Sequence, residues 1–129
     1  MKSQVLCVCG HREDARKLSV MLNTLPVALV HARTLTQARA KFRNTDYDVV
    51  LTESSFPGGT WVDVLHLVRE APRDVRVIVT DPLADARLWA EVLNLGAFDL
   101  LTQPFEEQEV RRIVQNACTR VATAGASLY

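Results

Sequence analysis

The sequence has few cysteines, only 6% aromatic residues and no excess of either charge. Its three cysteines are an odd number, and Cys7 and Cys9 stand two apart in an apolar segment, which does not indicate a disulfide framework. Fifteen Lys and Arg balance fifteen Asp and Glu, so no net charge draws the chain to nucleic acid or to an anionic membrane. No apolar run approaches the ~20 residues that span a bilayer, and no signal-peptide core follows Met1. These absences predict a cytoplasmic protein that binds neither nucleic acid nor membrane.

The composition that remains is that of an ordinary globular domain. Hydrophobic residues make up 48% of the 129 residues and charged residues 23%, which excludes the disordered and low-complexity classes of protein. The length predicts one domain over residues 1–129, with a core over about residues 4–120 and a weakly patterned tail over residues 121–129.

Short apolar runs alternate with amphipathic helical patterns five times along the chain. The runs cover residues 5–9, 27–30, 49–51, 75–79 and 98–101. Thr34 and Thr60 are predicted to cap the second and third helices, and Gly96 is predicted to end a fourth helix over residues 83–95. This (βα)5 order with uniformly apolar strands predicts an α/β fold with a doubly wound, five-stranded parallel sheet. The expected functional site is the crevice beyond the carboxyl ends of the strands.

Two stretches of the sequence resemble a known family. Residues 96–105, with the sequence GAFDLLTQPF, resemble the family pattern Gly-Ala-x-Asp-Tyr-Leu-x-Lys-Pro-Phe. Residues 48–51, followed by Pro57, resemble the third strand and the next loop of the same family. Over about residues 4–120 the chain thus resembles the receiver domain of bacterial two-component response regulators. The resemblance implies a flavodoxin-like fold with strand order 2-1-3-4-5, a cis Gln103–Pro104 bond, and a role in signal transduction or transcriptional control.

The resemblance also implies where a phosphorylation site would lie. A typical receiver transfers a phosphoryl group from a histidine kinase to an Asp, using two acidic residues to hold Mg²⁺, a Lys, and a Thr or Ser. In this sequence those positions are Cys9 and Gly10 for the acidic pair, Glu53 for the acceptor, Gln103 for the Lys, and a retained Thr80. A thiol and a glycine offer Mg²⁺ no hard oxygen ligand, and Gln103 lacks the positive charge. We therefore predict a degenerate receiver that is not an enzyme, holds no metal or cofactor, and acts through protein contacts.

Other interpretations of this crevice remain open. Because Glu53 is one methylene longer than Asp, it either reaches toward Thr80 as a mimic of the phosphorylated state or is a solvated carboxylate at a decayed site. A second interpretation is a receiver that accepts phosphate by a substituted chemistry. A third is a sensor of small molecules or of redox state, in a crevice lined by Cys9, His11, Glu53, Thr80 and Gln103.

Two cysteines on one face of the first strand raise the question of zinc. His11 and Glu53 would complete a site with Cys7 and Cys9. Zinc-binding pairs normally have a turn spacing, and Cys7 is expected deep in the sheet, so two reduced core cysteines are favoured over a metal site. His31, at the end of the second strand, is expected away from this crevice.

The fourth helix carries more apolar residues than one buried face needs. At 100° per residue they form two stripes on nearly opposite sides, and both cannot face the sheet. The stripes are Ala86, Trp89, Ala90 and Leu93 on one side and Leu88, Val92 and Leu95 on the other. In receivers, the positions resembling Trp89 and Leu93 belong to an outward signalling face formed by the fourth helix, the fifth strand and the fifth helix. We predict that Trp89, Leu93, Ala97 and Leu100 form such a face, which binds a protein partner or a second copy of the chain.

Overall fold

The computed structural model of the protein describes residues 2–119. The strands of its main sheet are β1 (Ser3–Val8), β2 (Val27–Ala32), β3 (Val49–Glu53), β4 (Arg76–Asp81) and β5 (Asp99–Thr102). The helices are α1 (Arg12–Met21), α2 (Leu35–Asn44), α3 (Trp61–Arg69), α4 (Ala86–Asn94) and α5 (Glu107–Cys118). All neighbouring strands of this sheet pair in parallel, in the order β2-β1-β3-β4-β5. This is the flavodoxin-like, five-stranded α/β fold that the sequence predicts.

Alternate residues of each strand face two separate core layers. Leu6 and Val8 lie in the layer that α2, α3 and α4 cover, whereas Val5 and Cys7 lie in the layer that α1 and α5 cover. The strands are apolar on both faces because each face is buried under helices. The predicted stripe of α5 is buried in this way at Val110, Ile113, Val114 and Ala117.

The register of the sheet brings the carboxyl ends of its central strands together. Val8 pairs with Thr52, and Glu53 pairs with Thr80. Residues that directly follow β1, β3 and β4 therefore lie along one edge of the sheet, at the crevice that the strand pattern predicts.

Side-chain caps fix the starts of two helices. Thr34 Oγ1 accepts a hydrogen bond from the Gln37 N–H at 3.1 Å, which confirms the predicted N-cap of α2. Thr60 is the N-cap residue of α3, as predicted, and its N–H donates to Oδ2 of Asp63 at 2.9 Å.

Two local features differ from the predicted elements, and a third agrees with its prediction. α4 begins at Ala86 rather than at residue 83, because the Asp85 carboxylate accepts the Leu88 N–H at 2.9 Å and caps the helix there. A short antiparallel ladder of Ser55–Phe56 with Gly59–Thr60, turning at Gly58 with φ +90°, lies where a loop is predicted. The predicted cis Gln103–Pro104 bond is confirmed.

Two further predictions concern the tail at the end of the chain and the absence of a membrane-spanning segment. Residue 120 and the predicted tail over residues 121–129 lie outside the described residues. Within residues 2–119, no helix is long and apolar enough to cross a membrane.

Candidate functional site

Glu53 ends β3 and directs its carboxylate toward the loop that follows β1. Oε1 accepts a hydrogen bond from the Gly10 N–H at 2.7 Å, and Oε2 lies 3.2 Å from Nδ1 of His11. The side chain is 12% exposed, which does not match the solvated carboxylate of a decayed site. Both of these bonds come from the β1–α1 loop rather than from Thr80, so the geometry does not match a phosphate mimic that reaches toward Thr80 either.

Gly10 is enclosed between Glu53 and Pro57. A Cβ at position 10 would lie 2.7 Å from Cδ of Pro57 and 3.3 Å from its Cγ. Because the proline ring is rigid, the loop that carries Pro57 would have to move to admit any side chain. The position that resembles the second acidic residue of a receiver is therefore closed by Pro57.

Gln103 follows β5 and contacts the first turn of α1. Its Nε2 donates to Oδ2 of Asp14 at 3.3 Å, and the same Oδ2 lies 3.9 Å from Nδ1 of His11. Asp14 thus lies in the crevice. It is not among the predicted site residues, because it lies within α1 rather than directly after a strand. Its signal in the sequence is its place three residues after His11, at the start of the helix that follows β1.

Cys9 is buried beneath these polar side chains. It is 2% exposed, its Sγ–H donates to the His11 carbonyl oxygen at 3.1 Å, and its Sγ accepts the His11 N–H at 3.4 Å. Burial is the main cause that raises the pKa of Cys9, to about 12. The charges of Glu53 and Asp14 raise this pKa further, and the hydrogen bond with the His11 backbone lowers it only in part. The thiol is therefore protonated at neutral pH, which does not favour the alternative of a redox sensor that uses Cys9.

His31 lies closer to this crevice than the strand pattern predicts. Its Nε2 is 2.8 Å from the carbonyl oxygen of Cys9, and the Cys9 N–H donates to the Ala32 carbonyl at 2.9 Å. The expectation that His31 lies away from the crevice is wrong, because parallel pairing places it opposite Cys7, near the end of β1. These contacts fix the backbone of Cys9.

The crevice collects four side chains of metal-ligand type. Ligand atoms of Cys9, His11, Asp14 and Glu53 all lie within 4.8 Å of one another. Cys7 and Cys9 both belong to the apolar layer under α1 and α5, but only the thiol of Cys9 lies near the other three ligand atoms. Burial raises the pKa of the Cys7 thiol strongly, and the charges of Cys9, Glu53 and Asp14 add to that rise.

On the other side of the crevice, Thr80 and Asp81 end β4. Thr80 is buried, and its carbonyl accepts the Ser54 N–H at 2.9 Å. Ser54 Oγ donates to Oδ1 of Asp81, while Oδ2 accepts the Leu83 and Ala84 N–H groups at 2.9 and 2.8 Å. Burial alone would raise the pKa of Asp81, but the bonds from Ser54, Ala84 and Leu83 outweigh it and hold the pKa below its ordinary value. Asp81 thereby ties the loop after β3 to the loop after β4.

The outer stripe of α4 is exposed, as predicted, but its predicted neighbours are not. Trp89 and Leu93 are 43% and 47% exposed, whereas Val92 on the opposite stripe is fully buried. Ala97 and Leu100 are 8% and 5% exposed, so their predicted place on the outward face is wrong. Leu100 points into the layer that α3 and α4 cover, because successive residues of β5 alternate between the two layers.

A cavity of about 490 Å³ lies at the opposite, amino-terminal edge of the sheet. Segments that precede β3 and β4 line it, among them Tyr47, Arg73 and Val75. The cavity shares no residue with the crevice at the carboxyl ends of the strands. It therefore does not support the interpretation of that crevice as a small-molecule sensor.

Comparisons with known proteins agree with this fold. The family model for the response regulator receiver domain matches residues 5–115. The chain is similar to the response regulator protein PilR of Pseudomonas aeruginosa, with 24% identity over 118 residues, or 91% of this chain. It spans 26% of the length of that relative.

Solved receiver structures share the architecture. The Francisella response regulator 1452 receiver domain matches with a TM-score of 0.83 at 21% identity, covering 93% of this chain and 99% of that one. The beryllofluoride-activated NtrC4 receiver domain dimer, solved in solution, matches with a TM-score of 0.83 at 22% identity, covering 91% of this chain and 97% of that one. At these identities the likeness concerns the fold alone. Taken with the family match over residues 5–115, these observations identify the chain as a member of the response regulator receiver domain family of two-component systems.

Proposed function

We propose that this receiver acts through protein contacts and is not phosphorylated at position 53 in the manner of its family. The observation that carries the proposal is the 2.7 Å hydrogen bond from Gly10 to Glu53, with Pro57 closed over Gly10. In this arrangement the carboxylate at the acceptor position is engaged in internal bonds. The neighbouring position, where a receiver needs a metal-binding carboxylate, has no room for a side chain.

Electrostatics at the crevice support the same proposal. A phosphoryl group carries a charge of about −1.5 to −2 at neutral pH, and on Glu53 it would stand beside the carboxylate of Asp14. Receivers offset that charge with Mg²⁺ and a Lys, but the Lys position is Gln103, whose amide donates to Asp14 at 3.3 Å. The crevice therefore opposes transfer of a phosphoryl group.

The alternative function is a receiver that accepts phosphate by substituted chemistry. It requires Glu53 to give up its bonds to Gly10 and His11 before Oε1 or Oε2 becomes a nucleophile. A non-enzymatic contact module needs no such rearrangement, so we favour it.

The surface that we propose for contact is the outer stripe of α4. Trp89 and Leu93 are 43% and 47% exposed, whereas Leu95, predicted on the opposite stripe, is 43% exposed at the C-cap and is not part of this surface. Exposed large apolar side chains on one helix are typical of interaction surfaces. We infer that a second copy of the chain covers this stripe, which agrees with the dimer named for the similar NtrC4 receiver.

Beryllofluoride tests the first proposal, because this phosphate analogue binds receivers at the acceptor Asp with Mg²⁺. We expect beryllofluoride and Mg²⁺ to leave the melting temperature of this chain unchanged, while a receiver with the full acidic set, measured in parallel, is stabilised. A saturable rise in melting temperature that is lost in Glu53→Gln would show that the crevice still takes a phosphoryl group, and would favour the alternative.

A further inference from the structure

We propose that Cys9, His11, Asp14 and Glu53 form a binding site for a divalent transition-metal ion of the zinc class. The inference departs from the sequence-based prediction that the chain holds no metal. It also goes beyond the proposed function, because a metal at this crevice neither requires nor excludes protein contact through α4.

The ligand atoms are already placed at nearly the spacing that such an ion needs. Zinc ligands lie about 2.0–2.3 Å from the ion, so neighbouring ligands of a tetrahedral site are about 3.3–3.8 Å apart. Nδ1 of His11 lies 3.2 Å from Oε2 of Glu53 and 3.9 Å from Oδ2 of Asp14. With Sγ of Cys9 included, no two ligand atoms are more than 4.8 Å apart. Small side-chain movements would complete a four-coordinate site.

The chemistry of the ligands selects the class of ion. One sulfur, one imidazole nitrogen and two carboxylates form a mixed set that suits Zn²⁺ and the chemically similar Co²⁺. Mg²⁺ requires an octahedron of oxygen ligands and gains little from a thiol or an imidazole. The crevice is therefore expected to prefer Zn²⁺ to the Mg²⁺ that typical receivers hold.

Neighbouring groups hold the ligands in position. The Gly10 N–H binds Oε1 of Glu53, which leaves Oε2 directed at His11, and the Gln103 amide binds Asp14. His31 fixes the carbonyl of Cys9 at 2.8 Å. Hydrogen bonds of this kind orient metal ligands, and their removal by mutation typically weakens metal affinity 10- to 100-fold.

The site is also accessible to an ion and carries the charge to hold one. The His11 side chain is 75% exposed, whereas that of Glu53 is 12% exposed and Cys9 is buried, so an ion would enter past His11 and meet the thiol last. Asp14 and Glu53 both have His11 as their ion-pair partner among the described residues. A divalent cation would neutralise both carboxylates together, and its binding would displace the proton of the Cys9 thiol to solvent as the thiolate ligand forms.

Titration with Co²⁺ tests the site directly, on the full chain without a histidine tag. We expect saturable binding with the visible d–d bands of a four-coordinate ion and a thiolate-to-cobalt charge-transfer band in the near ultraviolet. Zn²⁺ should abolish these bands by displacement, and a large excess of Mg²⁺ should not. Cys9→Ser should remove the charge-transfer band, and His11→Ala and Asp14→Asn should each weaken binding at least tenfold.

Cys118→Ser and His66→Ala are matched controls that change the same residue types on α5 and α3, and both should bind Co²⁺ as the parent does. Circular dichroism checks that each variant is folded, and Asp14→Asn provides a test at a more exposed ligand if Cys9→Ser unfolds. The proposal is overturned by the absence of saturable binding, by binding that survives Cys9→Ser and Asp14→Asn unchanged, or by displacement with Mg²⁺. None of these results depends on phosphorylation, so a failure here is distinct from a failure of the proposed function.

Discussion

The side chains in the crevice after β1 and β3 are bonded within the chain, whereas those on the outer stripe of α4 are exposed to solvent. In the crevice, Glu53, Gln103 and Cys9 all have hydrogen-bond partners within the chain. On α4, Trp89 and Leu93 remain about half exposed, and only the opposite stripe contributes to the core, through Val92. The positions that resemble the family site are thus held by contacts within the chain. The surplus apolar residues of α4, by contrast, are directed outward, which is where a partner can reach them.

The largest expected effect separates the two stripes of α4. Val92 is fully buried in the core layer that α2, α3 and α4 cover. Val92→Asp therefore places an unpaired charge in the core and should cost about 3 kcal/mol or more of unfolding free energy. Urea denaturation measures the loss. Should the variant fail to fold, Val92→Ala is expected to lose about 2 kcal/mol. A loss below about 0.5 kcal/mol in both variants would reverse the assignment of the stripes.

The next effect breaks the internal structure of the crevice at Gly10. Gly10→Ala brings a Cβ to 2.7 Å from Cδ of Pro57, and overpacking of this kind should cost about 1–3 kcal/mol. The matched background is Pro57→Ala, in which the same change at Gly10 should cost much less. Equal costs of Gly10→Ala in the two backgrounds would show that Pro57 does not close this position.

A smaller effect concerns Asp81 and depends on pH. Asp81→Ala removes the acceptor for Ser54, Leu83 and Ala84 and should cost about 1–2 kcal/mol at pH 7. Because the pKa of Asp81 is lower in the folded chain, its ionised form stabilises the fold above the unfolded pKa of about 4. This contribution is lost as the pH falls through the lowered pKa. Urea denaturation of parent and variant across that range should show the two converging, and a constant difference would contradict the assignment.

The smallest effect on stability is expected at Trp89, where association should change instead. Trp89→Asp should alter the unfolding free energy by less than about 0.5 kcal/mol and convert a dimer to a monomer in sedimentation velocity. Val20→Asp is the control, since Val20 is 58% exposed on α1 and should leave the dimer intact. A parent chain that stays monomeric at high concentration would exclude the homodimer and assign the stripe to a different partner.

The fold could be read from the sequence because its signals are local. The five apolar runs, the α5 stripe at Val110, Ile113 and Val114, and the caps at Thr34 and Thr60 depend on neighbouring residues. Leu100 was harder to place because Leu101 beside it is equally apolar. Both faces of the sheet are buried under helices, so the apolar pattern of β5 does not show which of the two residues faces which layer. In the structure, Leu100 lies in the layer under α2, α3 and α4, and Leu101 lies in the layer under α1 and α5.

The site was predictable in position and only in part in its contacts. The strand-end rule finds Cys9, Gly10, Glu53 and Gln103, because the carboxyl ends of parallel strands meet at one edge. It misses Asp14, whose contact with Gln103 joins positions 89 apart in the chain. No spacing in a single sequence predicts such a pair, and the same holds for the closure of Gly10 by Pro57.

The central claim is that this receiver does not accept a phosphoryl group, and intact-mass measurement after incubation with acetyl phosphate and Mg²⁺ tests it most directly. A receiver with the full acidic set, treated in parallel, shows that the reagent is active. We predict that the mass of this chain stays unchanged. A stoichiometric, acid-labile mass increase of one phosphoryl group that disappears in Glu53→Gln would contradict the account.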